Sequence, residues 1–240
     1  GSKPYIGTAC PAIVNYIEKY KPHLVENLIP IVSPMLAHGR MLKERLGKDT
    51  KVIFIGPCVA KKSEILKPAN KGIVDCVLTF KELMIWLNQK GINLSNCEES
   101  SFDERPVHLA QLYPLPGGMI KTAGLEEDGF DLKLLKVDGI NNVKSLIEGL
   151  PEDSSYTLIE PLFCSQGCIN GPGIDIEKNI FEKRKDLLQY NKETEHIHII
   201  PEIEEETLFY TRFNKEEGVF REVTEEEIEK VFEKTGKLDP

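Results

Sequence analysis

At 240 residues, with 40% apolar and 29% charged side chains, the chain is long enough to bury a proper core and too ordinary in composition to be disordered. Its 39 acidic residues against 30 basic ones leave a net charge of −9, with acid gathered in Glu202–Glu206 and Glu225–Glu229, so no basic stripe offers itself to nucleic-acid phosphates. No apolar run approaches the roughly 20 residues that span a bilayer and no signal-peptide pattern opens the chain, which argues against a membrane partner and leads to the expectation of a reduced, cytoplasmic protein. Gly1-Ser2 has the look of a cloning remnant, so the natural N-terminus is expected upstream.

Strand and helix signals alternate along the sequence. Pro11–Tyr20 reads as a helix with Ile13, Ile17 and Tyr20 on one face. Ser33-Pro34 opens a second helix to about Leu46, with serine as N-cap and proline at the first helical position. Short apolar strands follow at Lys51–Ile55 and Val74–Leu78, and Thr79-x-x-Glu82 is a capping box for a helix that Gly91 ends. Leu132–Val137, a helix from Asn142 to Gly149, and Tyr156–Glu160 form a strand–helix–strand unit. Gly173–Tyr190 reads as helical, His196–Ile200 as a strand, and Thr224-x-x-Glu227 begins a last amphipathic helix to Lys234 whose Ile228, Val231 and Phe232 stripe is expected to pack on the core. Asn96–Arg105 is a polar surface loop. This alternation argues for an α/β fold with mainly parallel sheets.

Six cysteines carry the chemical signal, and in a chain of this size without a mark of secretion they are expected to be reduced. Cys10 precedes Pro11 at a helix start, where N–H groups and the helix dipole favour a thiolate. Cys58 follows a strand within Gly56-Pro57-Cys58, at the carboxyl end where open α/β sheets place ligands. Cys164 and Cys168 follow the strand ending at Glu160, among glycines at 167, 171 and 173 that let the backbone approach a bulky group. Cys76 reads as a buried strand residue and Cys97 as a loop residue. Four thiolates from three separate turns suit an iron–sulfur cluster, a structural zinc or inert thiols; one close pair with two single ligands is poorer for zinc.

Three segments then occur in order: Thr8-Ala9-Cys10-Pro11, Gly56-Pro57-Cys58-Val-Ala-Lys61-Lys62-Ser-Glu64, and Glu160-x-x-x-Cys164-x-x-Gly-Cys168-x-x-Gly171-x-Gly173. Together they resemble the signature segments of the C-terminal, H-cluster domain of the iron-only ([FeFe]) hydrogenases. Ser33-Pro34, Gly117-Gly118-Met119 and Val137-x-Gly139-x-x-Asn142-Val143 match intervening segments, so the resemblance covers about residues 4 to 190, with 191–240 as a C-terminal extension and the family's earlier segment expected outside this sequence. The resemblance implies two interleaved α/β lobes of mainly parallel sheet flanked by helices, with a cofactor in the cleft between them. That cofactor is the H-cluster, a [4Fe–4S] cubane bridged by a cysteine to a di-iron subcluster bearing CO, cyanide and a bridging dithiolate. Cys10, Cys58, Cys164 and Cys168 would hold the cubane, with Cys168 as the bridge. Lys61 would donate to a cyanide, Glu64 would support it, and Ser33 would belong to the cofactor-binding set. Without the resemblance, Lys61 and Lys62 read as a solvated helix face.

Departures from the catalytic pattern bear on function. Where catalytic members have a proton-carrying cysteine before the first ligand, this chain has Ala9; a relay serine falls at Ile29, and two methionines fall at Gly56 and Leu162. The relay glutamates lie upstream of this sequence. A retained metal site without its proton path resembles the sensory branch of the family, in which such domains are joined to ferredoxin-like, PAS and kinase or phosphatase modules. The expectation is an H2 or redox sensor with low hydrogenase activity, taking H2 and protons as ligands and electrons from iron–sulfur domains upstream or in another chain. The alternatives are a competent H2-evolving or H2-oxidising enzyme, and an iron–sulfur-assembly type of relative that carries only a cubane.

Overall fold

The computed structural model describes residues 3–100, 102–104, 108–125, 133–150, 155–174, 177–194, 206–216 and 223–236. In chain order the elements are β1 (Tyr5–Ile6), α1 (Pro11–Tyr20), α2 (Pro34–Leu46), β2 (Ile53–Gly56), α3 (Ala60–Glu64), β3 (Cys76–Thr79), α4 (Phe80–Gln89), α5 (Gly118–Thr122), β4 (Leu134–Asp138), α6 (Ile140–Glu148), β5 (Leu158–Leu162), α7 (Ile180–Glu193) and α8 (Glu225–Thr235). Short 3-10 turns join several of them. One sheet has the order β1-β5-β4 and the other pairs β2 with β3, and every pairing between these strands is parallel. The chain lays down β1, crosses to build β2 and β3, then returns to complete the first sheet. This is the interleaved α/β architecture that the sequence implies.

Each sheet has its own core. Ile13, Val14 and Ile17 bury one face of α1 against Ile6 of β1, Leu162 of β5, and Val143 and Ile147 of α6. The i, i+4 spacing of Val143 and Ile147 places both on the sheet-facing side of α6. Under the second sheet, Met35 and Leu36 of α2 pack with Val52, Val74 and Val77. Thr79 closes the expected capping box at α4, accepting from the Glu82 N–H while the Glu82 carboxylate accepts from the Thr79 N–H.

The strands begin two residues later than the sequence pattern suggests and end one or two residues later, for local reasons. The Asp75 carboxylate takes the Val52 N–H at 2.9 Å, and the β2–β3 ladder starts only beyond that contact. In β5 the strand runs on through Pro161. Alternate residues of β5 face β1, which ends at Ile6, so the missing N–H of Pro161 falls beyond the last β1 partner. Helix α7 starts at Ile180 rather than Gly173, because Gly173 is tied down elsewhere: its N–H donates to Pro57 O at 2.8 Å and its carbonyl accepts from Lys81 N at 3.1 Å. Helix α8 forms behind the Thr224 capping box, but none of its residues is buried and Ile228 and Val231 are exposed, so the stripe does not pack on the core as expected. Cys76 is only half-buried, because its face of the two-stranded sheet is thinly covered and the neighbouring Ile53 and Ile55 of β2 are exposed. Cys97 is exposed, and the segment 196–200 lies outside the described residues.

Candidate metal centre

All four candidate ligands follow the carboxyl ends of parallel strands. Cys10 comes four residues after β1 and caps α1, Cys58 comes two after β2, Cys164 comes two after β5, and Cys168 ends the same loop. Loops from the strand ends of both sheets therefore meet at the crevice between them, where open α/β folds collect ligands. Backbone contacts lock the loops together. Pro57, next to Cys58, accepts the Gly173 N–H, and a Cβ on Gly171 would stand 2.7 Å from Pro57 O. The Cys168 N–H donates to Pro114 O at 2.7 Å. Gly167 has φ 86°, and a Cβ there would lie 2.3 Å from Pro114 O, so only glycine fits between Cys164 and Cys168 at that position.

The thiols feel one another. Burial pushes the Cys164 thiol up to about 11, and the neighbouring Cys10 and Cys58 push in the same direction. Burial raises Cys168 to about 12, with Cys10, Cys58 and Cys164 adding to it and the Lys61 ammonium partly opposing. Cys10 is raised too. Burial outweighs the N–H groups of Phe163, Ile13 and Ala12 that favour its thiolate, so the shift runs opposite to the one expected from the helix start alone. All six cysteines are free thiols.

Among the described residues, no three His, Cys, Asp or Glu side chains converge closely enough to chelate one metal ion. A tetrahedral zinc with bonds of about 2.3 Å would draw its sulfurs to within about 4 Å of each other. A cubane spreads its ligands over separate irons and takes a wider thiol quartet than a single ion does. Four cysteines on loops from three strand ends, with glycines beside Cys168, have the donor chemistry that a [4Fe–4S] cluster takes.

Lys61 and Glu64 lie one turn apart in α3, both about 7% exposed, with Lys61 Nζ donating to Glu64 Oε2 at 3.0 Å. The solvated-face reading holds only for Lys62, which pairs with Glu82 at the surface. The Lys61 ammonium opposes the rise of the Cys168 thiol, but contributes less than burial and the three other thiols. Ser33 sits at the N-cap of α2, 2% exposed, yet its hydroxyl makes no capping bond and has no protein partner. It lines a cavity of about 240 Å³ together with Thr8, Pro11 and Glu64. None of the four cysteines lines that cavity, which flanks the quartet rather than containing it.

Two contributors escaped the sequence reading. Pro114 carries the carbonyl that holds Cys168, and nothing in its surroundings signals this. Glu160, 2% exposed, accepts from the backbone N–H groups of Gly117, Met119 and Ile120, and so fixes the segment that includes Pro114. A carboxylate four residues before Cys164 is a visible signal, but its partner cannot be read from one strand. At the relay positions, Ala9 and Ile29 carry no exchangeable side-chain proton. Leu162 is buried in the first core, and Gly56 faces the Phe54 ring.

Comparison with known proteins places this arrangement. Residues 1–172 match the family model described as iron only hydrogenase large subunit, C-terminal domain. The chain is 25% identical over 224 residues to the periplasmic [Fe] hydrogenase large subunit of Nitratidesulfovibrio vulgaris, covering 75% of this chain and 53% of that protein. It is 28% identical over 240 residues to the cytosolic Fe-S cluster assembly factor narfl of Xenopus tropicalis, covering 78% and 50%. The chain thus spans about half the length of the curated relatives it matches. A structure of [FeFe]-hydrogenase HydA1 from Chlamydomonas reinhardtii superposes with a TM-score of 0.63 at 18% identity, over 89% of this chain and 77% of that one, a likeness of fold. With the family model covering well over half of the sequence, the chain belongs to the family of iron-only hydrogenase C-terminal domains.

Proposed function

We propose that this chain is the H-cluster domain of an H2 or redox sensor, with slow residual hydrogenase activity. The observation that carries the reading is the retention of all four candidate cysteines and of a buried Lys61–Glu64 pair together with Ala9 beside Cys10. In this reading Cys10, Cys58, Cys164 and Cys168 would hold a [4Fe–4S] cluster, Cys168 would also serve a di-iron subcluster carrying CO, cyanide and a dithiolate, and Ser33 would belong to the cofactor-binding set. When bound, the cofactor would supply H2 binding, heterolytic cleavage and storage of electrons. Lys61 supplies a buried positive charge whose donors beyond the one given to Glu64 could serve an anionic ligand, and Glu64 keeps that charge oriented and compensated. Ala9 can neither hold nor pass a proton, and losing a positioned proton-transfer group typically slows such chemistry by about 10²–10⁴-fold. Ligand binding at the metal does not depend on that group. Electrons would come from iron–sulfur domains elsewhere in the same protein or in another chain, and the signal would leave through attached PAS, kinase or phosphatase modules.

A second reading is favoured by the similarity to cytosolic Fe-S cluster assembly factors: a cubane-only domain serving cluster assembly. The two separate on one experiment. Anaerobic protein is reconstituted with iron and sulfide, checked by metal analysis and electron paramagnetic resonance, and then treated with a synthetic di-iron complex. Infrared bands of CO and cyanide held by the protein support the sensor reading; a cubane signal without those bands supports the assembly reading. Cys168→Ser should lose the bands by removing the bridging thiolate, and bands that persist in this variant would reject the bridging role.

A further inference from the structure

The loop that carries two of the four thiols turns through a backbone conformation that side chains disfavour. Gln166, midway between Cys164 and Cys168, has φ 64° and is the only non-glycine residue with positive φ among the described residues. Its side chain is exposed, so packing does not hold it there. Its backbone N–H does have an anchor, donating to Asp138 Oδ2 at 2.6 Å.

Asp138 is well placed to serve as that anchor. It is the last residue of β4, in register with Leu162 of β5, and the neighbouring Gly139 N–H donates to Leu162 O at 3.0 Å. Its own carbonyl accepts from Asn142 Nδ2 at 2.9 Å, which ties the strand end to α6. The carboxylate is not used to cap α6, whose N-cap is Gly139 without a side-chain bond. A charged acceptor on a backbone N–H makes one of the stronger hydrogen bonds available to a loop. On its other side the loop hangs from Pro114 through the Cys168 N–H. The segment bearing both thiols is therefore slung between two fixed points, one of them a carboxylate 28 residues away in sequence.

We propose that Asp138 is a positioning residue for the cluster: its carboxylate holds Gln166 left-handed, so that Cys164 and Cys168 already face Cys10 and Cys58 before any iron arrives. The proposal rests on the reading of the quartet as a cluster site. Residues that orient metal ligands typically change metal affinity by about 10–100-fold when removed.

The test reconstitutes the wild-type chain, Asp138→Ala and Asp138→Asn anaerobically with iron and sulfide. Iron release to a chelator and the electron paramagnetic resonance line shape of the reduced cluster are then followed. Asp138→Ala should release iron about 10–100-fold faster and show an altered line shape. Asp138→Asn keeps an oxygen acceptor for the Gln166 N–H but loses its charge, and should release iron faster than wild type and more slowly than Asp138→Ala, while circular dichroism of the iron-free proteins shows all three equally folded. If Asp138→Ala matches wild type in both measurements, or if Asp138→Asn is as impaired as Asp138→Ala, the positioning role is wrong. Asp138→Asn also carries the test should Asp138→Ala not fold. A wild-type chain that takes up no cluster at all overturns the cluster reading itself, an outcome distinct from the other two.

Discussion

At the scale of single residues, the proposed sensor function turns on Ala9. It is the immediate neighbour of Cys10 in the chain and is itself half-buried. A thiol there would restore an exchangeable proton beside the metal site. Ala9→Cys in protein matured with the di-iron complex is expected to raise H2 evolution from a reduced viologen by about 10²-fold or more, the usual scale for a positioned proton carrier. No gain in rate would mean that Ile29 or upstream segments also block the path. The residue scale also shows why similar side chains differ in role. Lys61 and Lys62 are adjacent, yet a helix of 3.6 residues per turn sends one to the buried Glu64 and the other to the surface Glu82.

At the scale of elements, the small β2–β3 sheet depends on two carboxylates. Asp75 ties the two strands by accepting from the Val52 N–H, Lys43 and Lys51, and these contacts lower its carboxyl from 3.8 to about 2. Glu82 accepts from Lys62 and from Thr79 at the start of α4 and is lowered from 4.5 to about 2. Both are depressed in the folded chain, so their contribution is fully present above the unfolded values and is lost as pH falls toward 2. Trp86, the single tryptophan, lies in α4 and reports on this lobe. Its fluorescence should reveal acid destabilisation setting in below about pH 4.5, whereas Asp75→Asn should flatten that dependence. A pH profile identical in wild type and variant would remove Asp75 from the account. On the other sheet the dependence is different: β5 is flanked on both sides, and its Glu160 works as a buried peg for the segment at Gly117–Ile120 rather than as a strand-pairing group.

At the scale of the whole molecule, residues 206–216 form a strap across the fold, beyond the end of the family match at residue 172. Arg40 donates to the carbonyls of Leu208 and Tyr210, the Val32 N–H to Phe209 O, and the Thr211 N–H to Pro30 O. Phe213 then packs on the first core, and the strap ends on Glu18 of α1. That carboxylate, 4% exposed, accepts from Lys67 and from the Asn214 N–H, joining α1, the segment after α3 and the strap. Removing it leaves the half-buried Lys67 and a backbone donor without this acceptor, so Glu18→Ala is expected to destabilise by about 1–3 kcal/mol, the scale for leaving such a donor unsatisfied. Denaturant unfolding would measure the loss, and hydrogen exchange should quicken in 211–216. Unchanged exchange there would show that the strap is held by its other contacts without the Glu18 carboxylate.

Much of this protein is legible in its sequence because the signals are local. Proline at a helix start, capping boxes at Thr79 and Thr224, and alternating strand and helix patterns are short-range features, and they locate α1, α2, α4 and α8 closely. The candidate ligand cysteines can be named because each sits in a short motif whose glycines and prolines mark it. What stays hidden depends on contacts made across the chain. The ends of β2 and β5 are set by a carboxylate and by a missing neighbour strand, neither visible within the strand itself. The proton affinity of Cys10 is governed by burial under other elements, which outweighs the helix-start N–H groups that its own segment provides. The anchors of the Cys164–Cys168 loop, Pro114 and Asp138, lie tens of residues away and become evident only when parallel pairing brings the strand ends to one side. Short motifs therefore name the side chains that hold the chemistry. How those side chains are aimed and how dry they are come from folding, because orientation and desolvation are properties of neighbours that no single segment contains.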